Sequence, residues 1–263
     1  MPGTFTKSLA LAQESFAKVL SSCADKSDLI RFLEWHVSSH GISPGHAFLE
    51  LFPQLRGVRR LHIIDAHPTD VGELSLVIPP LFPKLEEVHF SGLTHLPFVM
   101  PILHSPHNLR FITFDAPCPH SIHLQLLRWF RTAAFQRLEK LSLWALCTSE
   151  RSKVEETIEE WIQIFDMDAV PGSVQEVVLG FRSQRGRICN KEEQHGFTTN
   201  LLNGLSSIFE WPRLRKLHLI GFSLFEKDLT TLYTDSPRRI HIEITTTIAD
   251  TSSIPFPATS QTK

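Results

Sequence analysis

One short stretch of this chain carries the letters of a catalytic serine motif. Gly41, Ser43 and Gly45 fit the G-x-S-x-G pattern that holds a nucleophilic serine on a sharp turn. That chemistry needs the backbone N–H of the next residue to stabilise an oxyanion, and Pro44 has no N–H. Ser43 as a helix N-cap with Pro44 at the first helical position explains the same letters. We therefore predict no hydrolase at this point.

Two other stretches carry the side chains of metal sites. Cys118, His120 and His123 lie within six residues, but a tetrahedral site would need a fourth ligand from elsewhere. His36 and His40 have the spacing of the H-E-x-x-H zinc motif, yet a valine occupies the place of its glutamate, which acts as general base. We interpret the first stretch as a structural loop and reject a zinc protease at the second. No catalytic residue, cofactor or metal ligand is predicted.

Phosphate-binding motifs are also missing from the sequence, which has no P-loop and no G-x-G-x-x-G. Four basic residues occur close together in a polar stretch that also contains glutamates: Arg182, Arg185, Arg187 and Lys191. We interpret this stretch as a solvated loop.

Composition bounds the class of protein. The 263 residues are 42% hydrophobic and the formal net charge is -2, so the chain can bury a core and has no electrostatic preference for nucleic acid or anionic membranes. The N-terminal apolar stretch is interrupted by Gln13 and Glu14, and no apolar run approaches the roughly 18 residues of a membrane span. The four cysteines form no C-x-x-C pair. We expect a cytoplasmic or nuclear protein with no signal peptide and no transmembrane segment.

A short phrase recurs along the chain and predicts the elements that position these side chains. Its form is apolar-x-x-apolar-x-apolar, and the last residues alternate as in a strand with one buried face. The clearest copies are VRRLHI (58–63), LEEVHF (85–90), LRFITF (109–114), LEKLSL (138–143), VQEVVL (174–179) and LRKLHL (214–219). Two weaker copies, IRFLEW (30–35) and PRRIHI (237–242), flank them.

Three of these runs follow an aromatic-proline-polar-leucine sequence: LFPQL (51–55), LFPKL (81–85) and WPRL (211–214). Proline stops a preceding helix and biases its predecessor toward an extended backbone, so we predict that the chain turns here into the next strand. We expect the aromatic residue to pack into the core between neighbouring repeats.

The segments between the runs contain helical patterns. A helix over residues 9–20 is expected to cap the first repeat. Further helices are predicted after Asp70, over residues 123–134, after a capping box at Ser152–Glu155, and over residues 201–209. Pro97 and Pro101 predict an irregular segment between the second and third runs.

The runs and their P-x-L entrances resemble the leucine-rich repeat family, in the irregular form that accompanies F-box domains in many fungal proteins. The resemblance covers about residues 28–244. It implies an α/β solenoid, with parallel strands in chain order on a concave face and helices and irregular segments on the convex face. Residues 1–27 would form a helical cap and residues 245–263 a disordered tail. The asparagine ladder of regular repeats is absent, and no F-box is recognisable in this chain.

The resemblance implies a non-enzymatic protein-interaction scaffold, the substrate-recognition part of an F-box-type ubiquitin-ligase receptor that lacks its F-box. The partner would be another protein in the concave groove, and a Skp1-type adaptor would bind only if an F-box exists elsewhere. The alternative is a doubly wound α/β enzyme with no recognisable active-site motif. Strand order separates the two, because a doubly wound sheet reverses direction at a switch point.

The resemblance also predicts which residues line the groove. They are Arg60, His62, Glu87, His89, Phe111, Lys140, Trp144, Lys216, His218, Ile220, Arg239 and His241. Aligned runs place two histidine pairs on adjacent strands, His62 beside His89 and His218 beside His241. Such pairs make either a pH-sensitive or metal-capable groove or simply solvated strand residues, and no carboxylate or cysteine is placed to complete a metal site.

Three apolar residues on the predicted groove have two interpretations. Phe111, Trp144 and Ile220 are either exposed anchors for a protein partner or side chains covered by a loop.

Overall fold

The computed structural model describes most of the chain, in ranges separated by gaps: 3–37, 46–64, 81–92, 96–103, 106–115, 120–131, 135–147, 151–165, 173–183, 191–205, 208, 211–222 and 240–245. Several predicted features lie outside these residues: the serine motif at 41–45, His40, the helix after Asp70, Cys118, Arg185, Arg187, Arg239 and the tail after Thr245.

One open sheet of eight parallel strands, ordered as in the chain, forms the centre of the α/β fold. Each predicted run supplies one strand, because its alternating apolar residues give the strand one face to bury. The strands are β1 Phe32–His36, β2 Arg60–Ile64, β3 Glu87–Ser91, β4 Phe111–Phe114, β5 Lys140–Cys147, β6 Glu176–Ser183, β7 Lys216–Ile220 and β8 His241–Thr245. The prediction of parallel strands in chain order is confirmed.

A shared backbone acceptor holds each strand to the next. The carbonyl of Arg31 accepts hydrogen bonds from the N–H groups of both Arg59 and Arg60, at 2.9 and 3.0 Å. The same arrangement recurs at each step as far as β7, with the acceptors Arg59, Glu86, Arg110, Glu139 and Gln175. Each acceptor is the residue directly before a strand, at the second position of its run. These paired bonds align the runs, so equivalent residues form columns across the sheet.

The last strand departs from the predicted alignment. Lys216 lies opposite His241 rather than Arg239, and His218 lies opposite Glu243. The predicted pairing of His218 with His241 is therefore wrong by two residues. Side chains alternate with a period of two, so this shift keeps the same face buried and pairs Ile242 with Leu217. Pro237, at the first apolar position of the weak run, made the alignment by sequence ambiguous.

In the described ranges five α-helices accompany the sheet: α1 Gly3–Ser22, α2 Leu96–Ile102, α3 His120–Arg131, α4 Arg151–Phe165 and α5 Lys191–Gly204. The apolar residues of α2 to α5 share one hydrophobic core with the inward side chains of the strands. Trp161 of α4, for example, packs against Phe181 of β6 with ring centroids 5.5 Å apart. The helices therefore cover one face of the sheet. No helix in the described ranges combines the length and the apolar content required to cross a membrane.

The helix predictions are mostly confirmed, with differences at their ends. α4 already includes Ser152, which was predicted to precede it as the cap, and α5 ends at Gly204 instead of continuing to residue 209. The irregular segment predicted from Pro97 and Pro101 is wrong, because α2 occupies it. Pro97 lies in the first turn, where an N–H has no helical acceptor, so it does not break so short a helix.

The aromatic-proline phrase forms a tight turn. The N–H of Leu55 donates to the carbonyl of Phe52 at 3.0 Å, and Leu85 donates to Phe82 at the same distance. Proline thus occupies the second position of a four-residue turn, which its fixed φ favours. The residue before proline is not extended as predicted, since Phe52 is helical and Phe82 has a φ of 53°.

The aromatic rings of these phrases are core residues, as predicted. Phe52 and Phe82 are completely or almost completely buried, and their ring centroids are 5.3 Å apart. Trp35 of β1 packs edge-on against Phe52 at 5.3 Å, and Phe16 of α1 contacts Trp35 at 6.4 Å. One stack of rings therefore joins α1 to the first repeats. Gln13 of α1 adds a hydrogen bond from its side-chain N–H to the carbonyl of His36, 3.1 Å away, at the end of β1.

We expect Phe52→Ala to destabilise the protein by about 3–5 kcal/mol, because it removes a buried ring from the middle of this stack. Leu11→Ala, on the exposed face of α1 where the side chain is 64% exposed, is the matched control and should change stability by less than about 0.5 kcal/mol. Urea unfolding of both variants measures the difference. Equal losses in the two variants would show that the phrase does not pack as described.

Candidate functional site

The sheet face opposite the helices, called the open face below, presents columns of polar side chains. The first column contains Phe32, Arg60, Glu87, Phe111, Lys140, Glu176, Lys216 and His241. The predicted alignment of the runs is confirmed from β1 to β7, and on β8 His241 occupies this column in place of Arg239. Phe32 is 49% exposed.

The basic residues of the first column each pair with a glutamate on a neighbouring strand. Nε of Arg60 lies 3.3 Å from an oxygen of Glu87, and Nζ of Lys140 lies 2.9 Å from Glu176. Nζ of Lys216 pairs at 2.6 Å with Glu243, which raises the pKa of the lysine and lowers that of the carboxyl group. Pairs this exposed contribute little stability. Their effect is to leave the column close to electrically neutral.

The polar positions just before the strands repeat this pairing. Arg110 makes a two-pronged ion pair with Glu139, with N–O distances of 2.7 and 2.9 Å. The hydrogen bonds raise the pKa of Arg110 and lower that of Glu139. Arg59 pairs with Glu86 at 2.7 Å in the same position two repeats earlier. Opposite charges on consecutive strands thus reinforce the alignment set by the backbone.

His62 and His89 lie side by side on β2 and β3, as predicted. Their rings stack with centroids 4.5 Å apart and an interplanar angle of 11°. The ring nitrogens of two nearly parallel rings point along separate planes, so they cannot converge on one cation. Within the described ranges no group of three or more His, Cys, Asp or Glu residues could hold a metal ion. This geometry argues against the metal-capable interpretation of the pair.

Two carboxylates and a serine complete what we call the histidine cluster: Glu34, His62, His89, Ser91 and Asp115. Nδ1 of His62 lies 3.1 Å from Glu34, and its Nε2 lies 2.7 Å from the hydroxyl of Ser91. That hydroxyl is 2.8 Å from Oδ2 of Asp115, and Nε2 of His89 is 3.1 Å from the same oxygen. Sequence analysis did not identify these two carboxylates as contacts of the histidine pair. The alignment gave a signal for one of them, since Glu34 pairs in register with His62.

Burial sets the protonation of this cluster. His62 and Asp115 are 9% and 8% exposed, whereas Glu34 lies at the rim with a side chain 45% exposed. Burial, and secondarily the neighbouring His89, lower the pKa of His62, while Glu34 and Asp115 act in the opposite direction. The net direction is downward from 6.5, so His62 is neutral at pH 7.

The connection from Glu34 through His62 to Ser91 uses the same ring nitrogens as a serine-hydrolase triad. Catalysis by such a triad also needs hydrogen-bond donors where the negative oxygen of the intermediate develops. The group beside Ser91 is instead the Asp115 carboxylate, and the Gly92 N–H donates to that carboxylate at 3.2 Å. The negative charge of Asp115 would repel the negative oxygen that forms during acyl transfer.

Comparison with known proteins adds no assignment: no protein-family model matches the chain, and no curated protein matches it. The functional argument therefore depends on the geometry of the open face.

The second predicted histidine site has a different composition from the one expected. Because β8 is shifted, His218 faces Glu243 at 4.0 Å, and its Nε2 is 3.0 Å from the hydroxyl of Thr245. Burial is the main cause that lowers the pKa of His218. His241 lies beside Lys216 in the first column and is exposed. No pair of adjacent imidazoles forms here.

The aromatic and aliphatic groove residues differ in exposure. Phe111 and Ile220 are partly exposed, whereas Trp144 is only 7% exposed and so is covered. Its indole N–H donates to the hydroxyl of Ser142 at 3.1 Å. Gly180, opposite Trp144 on β6, leaves room for the ring, because a Cβ atom there would lie 2.5 Å from it. Trp144 is part of the floor of the open face and not an exposed anchor.

The remaining sequence motifs do not join this site in the described part of the chain. His36 is the last residue of β1, and its Nε2 lies 3.9 Å from a carboxylate oxygen of Glu34. His120 and His123 belong to α3, Arg182 to β6 and Lys191 to α5. Cys23, between α1 and β1, carries a free thiol.

We expect Gly180→Ala to destabilise the protein by about 1–3 kcal/mol, because the new methyl group overlaps the Trp144 ring and forces it to move. Gly196→Ala in α5 is the matched control. A Cβ atom there meets no neighbour within 4 Å, and alanine favours a helix over glycine by about 0.5–1 kcal/mol. Unfolding curves and tryptophan fluorescence measure both effects. A neutral Gly180→Ala variant with unchanged fluorescence would contradict the packing.

Proposed function

We propose that this chain is a non-enzymatic protein-interaction module of the leucine-rich-repeat type, which holds a partner on the open face. The observation that carries this proposal is the single sheet in chain order, covered by helices on one face and lined by polar columns on the other. Doubly wound sheets reverse direction at a switch point where ligands bind. The strand order runs from β1 to β8 without reversal across the described strands, which supports a solenoid.

The charge pattern of the open face favours a protein partner. Nucleic-acid surfaces carry unpaired lysine and arginine residues that neutralise phosphates. Here Arg60, Lys140 and Lys216 each pair with a glutamate on a neighbouring strand. The exposed aromatic residues of this face instead fit a protein partner, because aromatic residues are enriched at protein interfaces.

Two aromatic residues of the first column supply the apolar anchors of this interface. Phe32 is exposed and Phe111 is partly exposed, and the paired residues Arg60 and Glu87 lie between them. Three strand steps separate the two rings, about 14 Å at the usual strand spacing. Phe32 was not among the predicted groove residues, although it belongs to the same column. Arg110 lies over the Phe111 ring at 5.1 Å and supports it.

The resemblance to repeat proteins that accompany F-box domains motivates a narrower version of the proposal. The chain would be the substrate-recognition part of a ubiquitin-ligase receptor whose F-box is not recognisable in this sequence. A Skp1-type adaptor would then bind only through an F-box encoded elsewhere. We expect purified chain to capture a substrate-like protein and no adaptor.

We expect Phe111→Ala to weaken capture of the partner roughly tenfold, because buried aromatic anchors dominate protein interfaces. Leu124→Ala, on α3 and 39% exposed, is the control and should bind like the wild type. Quantitative affinity capture with mass spectrometry compares the three proteins. Capture of no protein above background, or equal capture by both variants, would contradict binding through the open face.

The strongest observation for an enzyme is the Glu34–His62–Ser91 connection. An activated serine forms a covalent bond with the phosphorus of a fluorophosphonate and releases fluoride, while its proton passes to the histidine. Because Asp115 opposes such chemistry, we expect no labelling of the wild-type chain. Labelling that Ser91→Ala and His62→Gln both abolish would overturn the non-enzymatic proposal.

A further inference from the structure

We propose that the histidine cluster is a proton-binding unit that regulates the part of the open face formed by β1 to β4. In its neutral form the unit offers Glu34 to a partner, and in its protonated form it holds Glu34 on His62. The proton site itself is inferred from the geometry of five side chains. Its effect on a partner rests on the proposed function.

Counting protons shows why the unit binds one more. Four short contacts join its members: Glu34 to His62, His62 to Ser91, Ser91 to Asp115, and Asp115 to His89. Each contact needs one hydrogen between its two atoms. With both imidazoles neutral, these contacts have only three hydrogens: one on each ring and one on the serine hydroxyl. One contact is therefore a repulsive approach of two lone pairs.

A single added proton removes this conflict. When His62 carries hydrogens on both nitrogens, Nδ1 donates to Glu34 and Nε2 donates to Ser91. The Ser91 hydroxyl then donates to Asp115, and the Nε2–H of His89 is shared between Asp115 and Ser91, the latter at 3.3 Å. The net charge of the five groups changes from -2 to -1.

The surroundings of His62 place the change on the acidic side of neutrality. The titratable groups that face it are Glu34 and His36 from β1, Glu87 and His89 from β3, and Asp115 after β4, with Arg60 on its own strand. Burial and His89 lower the pKa of His62, and the two nearest carboxylates oppose that shift without reversing it. The unit therefore takes up its proton below pH 6.5.

Glu34 is the member through which a partner would sense this proton. Its side chain is 45% exposed at the rim, whereas His62 and Asp115 are buried. In the neutral unit the four contacts share three hydrogens, so the Glu34–His62 contact can be left without one. The Glu34 carboxylate can then turn toward an N–H donor of a partner. In the protonated unit that carboxylate accepts from His62. A partner carrying a lysine, arginine or amide donor would bind above the transition and be released below it.

The same equilibrium affects folding. The unfolded chain binds a proton at a histidine with a pKa near 6.5, and the folded chain binds it only at lower pH. Stability contributed by neutral His62 is therefore fully present above pH 6.5. It decreases as the pH falls from 6.5 through the folded-state pKa of His62.

NMR titration of the imidazole resonances tests the unit without any partner. We expect His62 to titrate below pH 6.5, and Glu34→Gln to move its midpoint further down. His89→Gln should move it up, on the order of one pH unit, because it removes the competing imidazole. Ser91→Ala should lower the midpoint of His62. The two remaining contacts, Glu34–His62 and Asp115–His89, each have a hydrogen when both imidazoles are neutral, so they gain none from an added proton. His46→Gln is the control, since His46 is exposed, pairs with Glu50 at 3.2 Å and is not a member of the histidine cluster.

The outcomes separate this inference from the proposed function. A His62 midpoint at the ordinary value, or one that all three cluster variants leave unchanged, would overturn the proton unit whatever the capture experiment shows. Shifted midpoints combined with capture of no protein would keep the unit and overturn the binding role. Where a partner is captured, wild-type binding should weaken between pH 7.5 and 5.5, and the Glu34→Gln variant should lose most of that dependence.

Discussion

A single backbone carbonyl that accepts two successive N–H groups from the next strand sets the geometry of this protein. The arrangement recurs at six steps of the sheet, from Arg31 to Gln175. It determines which residue of each run lies opposite which residue of the next. Since side chains alternate with a period of two, a shift by one residue would exchange the buried and open faces. The shared core, the ion pairs and the histidine cluster all depend on this alignment.

The alignment of the strands converts the charge pattern of the runs into rows of ion pairs across the sheet. Arginine and glutamate alternate just before the strands, and lysine or arginine alternates with glutamate in the first column, so opposite charges meet at each of several steps. These exposed pairs contribute little energy individually. Together they leave the open face nearly neutral, and Phe32 and Phe111 interrupt it at intervals. Its recognition properties therefore depend on the anchors and on the few groups that titrate near neutral pH.

The histidine cluster illustrates how far alignment alone reaches. Runs aligned by sequence put His62 beside His89, and the structure confirms the pair. The same alignment puts Glu34 opposite His62, but side-chain reach and burial decide whether such groups touch. Asp115 lies beyond the end of β4, and its carboxylate reaches both Ser91 and His89. Neither contact follows from residue type or spacing.

The sequence by itself determined the repeating strand and its buried face, because apolar periodicity and turn residues act locally. The order of the strands was implied by the resemblance to repeat proteins, and the structure decided it against a doubly wound order. The sequence also predicted that the aromatic residues of the proline phrases are buried. Only the tertiary structure decided the two-residue shift of β8, where Pro237 left two alignments with the same buried face. It likewise decided that Trp144 lies covered over Gly180 and that two carboxylates enclose the histidine pair. Those outcomes depend on packing between strands that are distant in the chain, which no local pattern encodes.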